Sequence, residues 1–106
     1  MPVYAIAQGR VLDREQFDQY VAAAIPTLEA HHARLVALDE APVLIEGAVD
    51  YPRTIILEFA SEQSFHDWYD SPGYRAAREL RRKASIGTFI LVKGSTAARR
   101  ATRTQQ

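Results

Sequence analysis

The chain has 106 residues, no cysteine, and thirteen basic against thirteen acidic side chains, so its formal net charge is zero. That length fits one domain with one core. The charge balance excludes a strongly basic nucleic-acid binder and a highly charged disordered chain, and the missing thiols exclude a disulfide scaffold, a thiol nucleophile and a cysteine-ligated metal. The zero is nevertheless a cancellation. Residues 1–74 carry twelve acids and four bases, net −8, whereas residues 75–106 carry nine bases and only Glu79 as an acid, net +8. Such segregation reads as a basic helix and tail on an acidic body, or as an anion-binding helix or complementary subunit surfaces.

Val3 to Gln8 is rich in β-formers and stops at Gly9, which predicts a first strand. Asp13 followed by Gln16 is a capping-box pattern opening a helix, whose apolar face is Phe17, Tyr20, Val21, Ala24 and Leu28. Pro26 inside that pattern removes a backbone donor and predicts a kink or split near Ala24, with the second piece reaching about His32. Arg34 to Leu38 predicts a strand, Val43 to Glu46 a further extended stretch, and Asp50-Tyr51-Pro52 a turn. Arg53 to Phe59 is the strongest strand signal; alternation sets Ile55, Leu57 and Phe59 on one face and Thr54, Ile56 and Glu58 on the other. Ser61 caps a short helix holding Phe65, Trp68 and Tyr69. Ser71-Pro72 starts another that runs to about Ala84. Ile86 to Lys93 is the last strand, and residues 95–106 form a basic tail with no apolar period, expected to be disordered beyond a single domain at 1–94.

The order β-α-β-(β)-β-α-β predicts an α+β fold of the ferredoxin-like, split β-α-β kind: an antiparallel sheet with two main helices on one face. The other face, carrying Ile56, then needs a cover, and a second copy packed sheet to sheet is the expected one. Met1 to Arg10 lacks the features of a signal peptide, and no apolar run approaches the ~20 residues that span a bilayer. A soluble, cytoplasmic protein with no membrane or nucleic-acid partner is expected.

Leu57-Glu58-Phe59, then Trp68-Tyr69-Asp70-Ser71-Pro72-Gly73-Tyr74, then Arg78 and Arg81-Arg82, with Tyr4-Ala5-Ile6-Ala7, Glu46-Gly47 and the closing Leu91-Val92-Lys93-Gly94, resemble the DUF1330 family over roughly residues 3–94. The resemblance implies a dimeric α/β barrel and no established reaction. Two positions depart from it. His32-Ala33 stands where a Gly pair is usual after the first helix, which places imidazoles near the end of the sheet. Gly73 stands where an acid is common.

Several side chains are candidates for chemistry. Trp68, Tyr69 and Tyr74 either pack as core with Phe65 or wall a pocket for a planar ligand. Glu58, mid-strand among apolar residues, must be paired or protonated; it is either an ion-pair partner of Arg81, Arg82 or a barrel partner, or a general base. Arg78 and Arg81 share a helix side, and Arg81 borders the apolar stripe, where it can reach a carboxylate. His31 and His32 suit a helix C-terminus, and His32 is a candidate acid or base at a cleft end. Glu62, His66 and Asp70 read as an exposed ladder in place of a metal site. The leading expectation is a homodimer that binds or transforms a small organic molecule, aromatic or carboxylate, in a helix–sheet cleft. Glu58 and His32 would be catalytic, and Trp68, Tyr69, Tyr74, Arg78 and Arg81 would line the site. Fold analogy points to monooxygenases and isomerases that use no cofactor, and none is expected here. A non-catalytic binding protein or a structural dimer module is the alternative.

Overall fold

The computed structural model describes residues 1–95. Its elements are β1 (Val3–Val11), α1 (Arg14–Ala30), β2 (Arg34–Asp39), β3 (Arg53–Phe59), α2 (Glu62–Tyr69), α3 (Pro72–Ala84) and β4 (Ser85–Lys93). The strands form one sheet in the order β2-β3-β1-β4, with every neighbouring pair antiparallel. Register places Val3 between Phe59 and Lys93, and Ala5 between Leu57 and Leu91. Period-2 alternation therefore turns Val3, Ala5, Leu57 and Phe59 to one face, where all four are buried.

The three helices are each capped by the side chain that the sequence predicts. Asp13 accepts from the Gln16 N–H, Ser61 from Ser64 and Ser71 from Tyr74, with Pro72 at the first helical position. The helices seal a core of Phe17, Ala24, Leu57, Phe59, Phe65, Trp68, Tyr74 and Ala77. Gly73 on α3 lies against α1; a Cβ there would sit 3.2 Å from the Thr27 methyl. The Ala84 carbonyl, at the end of α3, accepts from both Leu12 N (2.8 Å) and Asp13 N (3.1 Å), which fixes the turn between β1 and α1. β4 follows α3 with no connecting loop.

Three expectations are corrected. First, α1 is one continuous helix through Pro26. The proline deletes only the bond to the Ala22 carbonyl. Both residues are exposed, so water takes the donor's place while Phe17, Ala24 and Leu28 hold the helix to the core. Second, Val43 to Glu46 is not a strand. β3 already has β1 and β2 on its two edges, and residues 40–52 instead make an irregular loop passing near Gln8, Ala37 and Thr54. Val43 and Ile45 on it are each 83% exposed. Third, β1 continues past Gly9 to Val11, because β4 pairs with it along that whole length.

The helix-free face of the sheet carries Tyr4, Ile6, Ile56, Glu58, Ile86, Ile90 and Val92. On β2 the register slips by one residue at Val36, a bulge that brings both Leu35 and Leu38 opposite the helix-side residues Leu57 and Ile55. Of the predicted tail at 95–106, residues 96–106 lie outside the described residues.

Candidate functional site

Between α1 and the sheet lies a cavity of about 430 Å³. Its geometry follows from residue size. Ala7, Gly9 and Gly87 give a floor with little side chain, Ile55, Leu57 and Phe89 complete it, and Phe17, Tyr20, Ala24 and Leu28 of α1 form the roof. Trp68 closes one side. Its indole N–H is already spent on Thr27 Oγ1 at 3.0 Å, and Thr27 in turn donates to the Ala24 carbonyl at 2.6 Å. The ring is thus held as a rigid wall, 1% exposed and 4.0 Å from the Tyr74 ring centroid.

Two arginines enter this apolar space. Arg53, opposite Gly9 in the register, lies with its guanidinium 4.7 Å from the Phe17 ring centre. Its Nε is buried with no hydrogen bond, and it forms a long ion pair with Glu40 Oε1 at 3.7 Å. Arg81 comes from α3 and lies 5.6 Å from the Phe89 ring centre. Its Nε is also buried with no hydrogen bond, and among the described residues it has no ion pair. Tyr20 lines the same space, and its hydroxyl lies 3.0 Å from that of Tyr74, which is sealed at 0% exposure. Burial first, and the neighbouring Tyr74 next, push the Tyr20 phenol well above its ordinary range, against the opposing pull of Arg81 and Arg53. Tyr20 therefore stays protonated and acts as a hydrogen-bond donor.

The residues singled out in the sequence are only partly brought together. Trp68 and Arg81 line the cavity. Tyr74 stands behind Tyr20 as its partner. Tyr69 and Arg78 lie outside the lining and hold each other: the Arg78 guanidinium lies 4.6 Å from the Tyr69 ring centre and donates to the Tyr69 carbonyl at 3.5 Å. Glu58 is on the opposite face of the sheet. Its partners there are Arg34 Nε at 2.6 Å and the Tyr4 hydroxyl at 3.2 Å, and neither Arg81 nor Arg82 pairs with it; Arg82 instead reaches Glu79 at 3.3 Å. Register sets Glu58 beside both Tyr4 and Arg34, whereas α3 lies across the sheet from it. His32 is exposed in the turn after α1, where φ is +57°. The N–H of Ala33 bonds Leu28 O and that of His32 bonds Glu29 O, so the tight turn usual with glycine forms here with histidine.

Arg53 and Tyr20 were missed as site residues. The signal for Arg53 was present: alternation from Phe59 back through Leu57 and Ile55 puts a cation on the helix-side face. Among the described residues, no cluster of three His, Cys, Asp or Glu side chains is placed to hold a metal.

An α+β domain with a ferredoxin-like sheet, helices on one face and an apolar cavity beneath the first helix is the class defined here. The chain belongs to the DUF1330 family, a domain of unknown function, whose model matches residues 2–95. Among solved structures, the RPA0582 protein of unknown function from Rhodopseudomonas palustris shares the fold with a TM-score of 0.75 at 19% identity, over 90% of this chain and 83% of that one. A dimeric ferredoxin-like protein of unknown function from Thermobifida fusca has a TM-score of 0.62 at 19% identity, covering 89% and 92%. SnoaB, a cofactor-independent oxygenase from Streptomyces nogalater, has a TM-score of 0.62 at 14% identity, covering 90% and 94%. A comparison with functionally curated proteins gives no match.

Proposed function

We propose that the protein binds a small organic molecule in the cavity between α1 and the sheet, and works as a homodimer whose open sheet faces pack together as a dimeric α/β barrel. The observation that carries the binding reading is the cavity itself. Protein interiors are close-packed, and about 430 Å³ of space with a mostly apolar lining and a few polar groups has the size and chemistry of a ligand site. The dimer reading is supported by Ile86, Ile90 and Val92 exposed on one sheet face, and by the dimeric relative from T. fusca. SnoaB lends the fold alone, and no residue of the cavity is assigned a reaction from it.

Trp68 is the single tryptophan, and it lines the cavity, so its emission reports occupancy. Titration with small aromatic and aliphatic compounds is expected to change that emission and raise Tm for at least one class. Ala7→Leu, which fills the floor, or Val21→Phe, which fills the roof, should abolish both responses in a folded protein. No response from any compound at millimolar concentration sinks the reading.

A further inference from the structure

Resting on that binding reading, we infer that the guest is an apolar carboxylic acid, with its carboxylate held by Arg81 and Arg53 and accepting a hydrogen bond from Tyr20. The charge inventory of the cavity carries this. Arg10, Arg53 and Arg81 line it, against one carboxylate, Glu29, which is exposed on α1. Arg10 is engaged outside, donating to the Asp50 carbonyl at 2.5 Å. Arg81 has no ion pair among the described residues, Arg53 has only the 3.7 Å pair with Glu40 from outside the lining, and each keeps a buried Nε without a hydrogen-bond acceptor. A cation in apolar surroundings is costly unless it is paired and hydrogen-bonded. A planar two-oxygen anion matches the guanidinium fork.

The tyrosine pair adds a donor at the same place. Two hydroxyls carry two protons, and their mutual bond uses one. Tyr74 is sealed and has no other partner among the described residues, so its proton goes to Tyr20. The Tyr20 proton is then left for the cavity that Tyr20 lines. An inorganic anion satisfies these donors but leaves the Phe17, Ala24, Leu28, Ile55 and Phe89 surface uncovered. The lining as a whole therefore fits an acid with a hydrocarbon or aromatic body.

The test uses matched pairs that differ only in charge: benzoate and benzamide, cinnamate and cinnamamide, 4-phenylbutyrate and 4-phenylbutyramide. Binding is followed by Trp68 emission and calorimetry. At least one acid is expected to bind ten times or more tighter than its amide, and Arg81→Met should bring that ratio close to one while the amide's own affinity holds. Arg53→Met is the second variant and should lower the ratio as well. Equal binding of acid and amide, or a ratio untouched by both substitutions, overturns the carboxylate assignment while leaving the binding reading in place. Failure of every acid and every amide to bind overturns both.

Discussion

The Tyr20 and Tyr74 hydroxyls, 54 residues apart in sequence, share one hydrogen bond of 3.0 Å that joins α1 to α3. The two ends are not equivalent. Tyr74 is sealed, whereas Tyr20 faces the cavity. Tyr20→Phe strands a buried hydroxyl and should cost about 2 kcal/mol of stability, while Tyr74→Phe leaves a hydroxyl that water in the cavity can satisfy and should cost about 1 kcal/mol. The double variant should lose less than the sum. Urea unfolding of the four proteins checks this, and equal, additive losses would contradict it.

The same phenol makes a statement about alkaline pH. Its folded-state pKa is raised by burial above the ordinary value near 10, so above that pH the unfolded chain releases a proton that the folded chain keeps. The contribution is fully present below pH 10 and is lost as pH rises toward the folded value, at up to about 1.4 kcal/mol per pH unit. Thermal melts between pH 9 and 11 should therefore fall more steeply for the native protein than for Tyr20→Phe. Parallel profiles would refute the shift.

His32 occupies a left-handed position that glycine adopts without strain. His32→Gly should stabilise the fold by about 0.5–1 kcal/mol. The same variant probes a catalytic or binding role for the imidazole. Unchanged guest affinity, measured through Trp68, is expected because His32 does not line the cavity. A tenfold loss would return it to the site.

Gly87 has no room for a side chain. A Cβ there would lie 2.0 Å from the Gln8 carbonyl oxygen and 2.7 Å from Gly9 Cα, both backbone atoms of the paired strand. Gly87→Ala must push β1 and β4 apart and should cost about 3 kcal/mol. Because Gly87 also lines the cavity floor, guest binding should weaken in whatever folded protein remains. A variant as stable as the native chain would show that the strands yield freely.

On the open face, Ile90 is 55% exposed, opposite Ile6 on β1. If that face joins two copies, sedimentation should give twice the 11.9 kDa chain mass, and Ile90→Lys should give the single-chain mass with the fold intact. A native chain that sediments as one copy at micromolar concentration removes the dimer from the proposal.

Much of this molecule is legible in its sequence because local signals agree with one another. Asp13, Ser61 and Ser71 each begin a helix as hydroxyl or carboxylate caps should, and the alternation in residues 53–59 sets the two faces of the sheet correctly. Pro26 misleads because propensity cannot see that Ala22 and Pro26 lie on the wet side of α1. Val43 to Glu46 misleads because β-rich composition says nothing about whether the segment is laid against a strand it can pair with. The site is the least legible part. Its key atoms come from residues 20, 53, 68 and 81, and what unites them is a gap, set by small residues at positions 7, 9 and 87, that no single segment encodes.

The bulge at Val36 has a bearing on solubility. β2 is an edge strand, and a regular edge offers its unpaired amides and carbonyls to any passing strand, the route to domain exchange and fibrils. Here the ladder breaks after Leu35, and the strand begins with Arg34 and ends with Asp39. A second strand laid along β2 would meet a kinked backbone between two opposite charges. The chain thus exposes Leu35 and Leu38 along a rim beside which another chain cannot readily zip up.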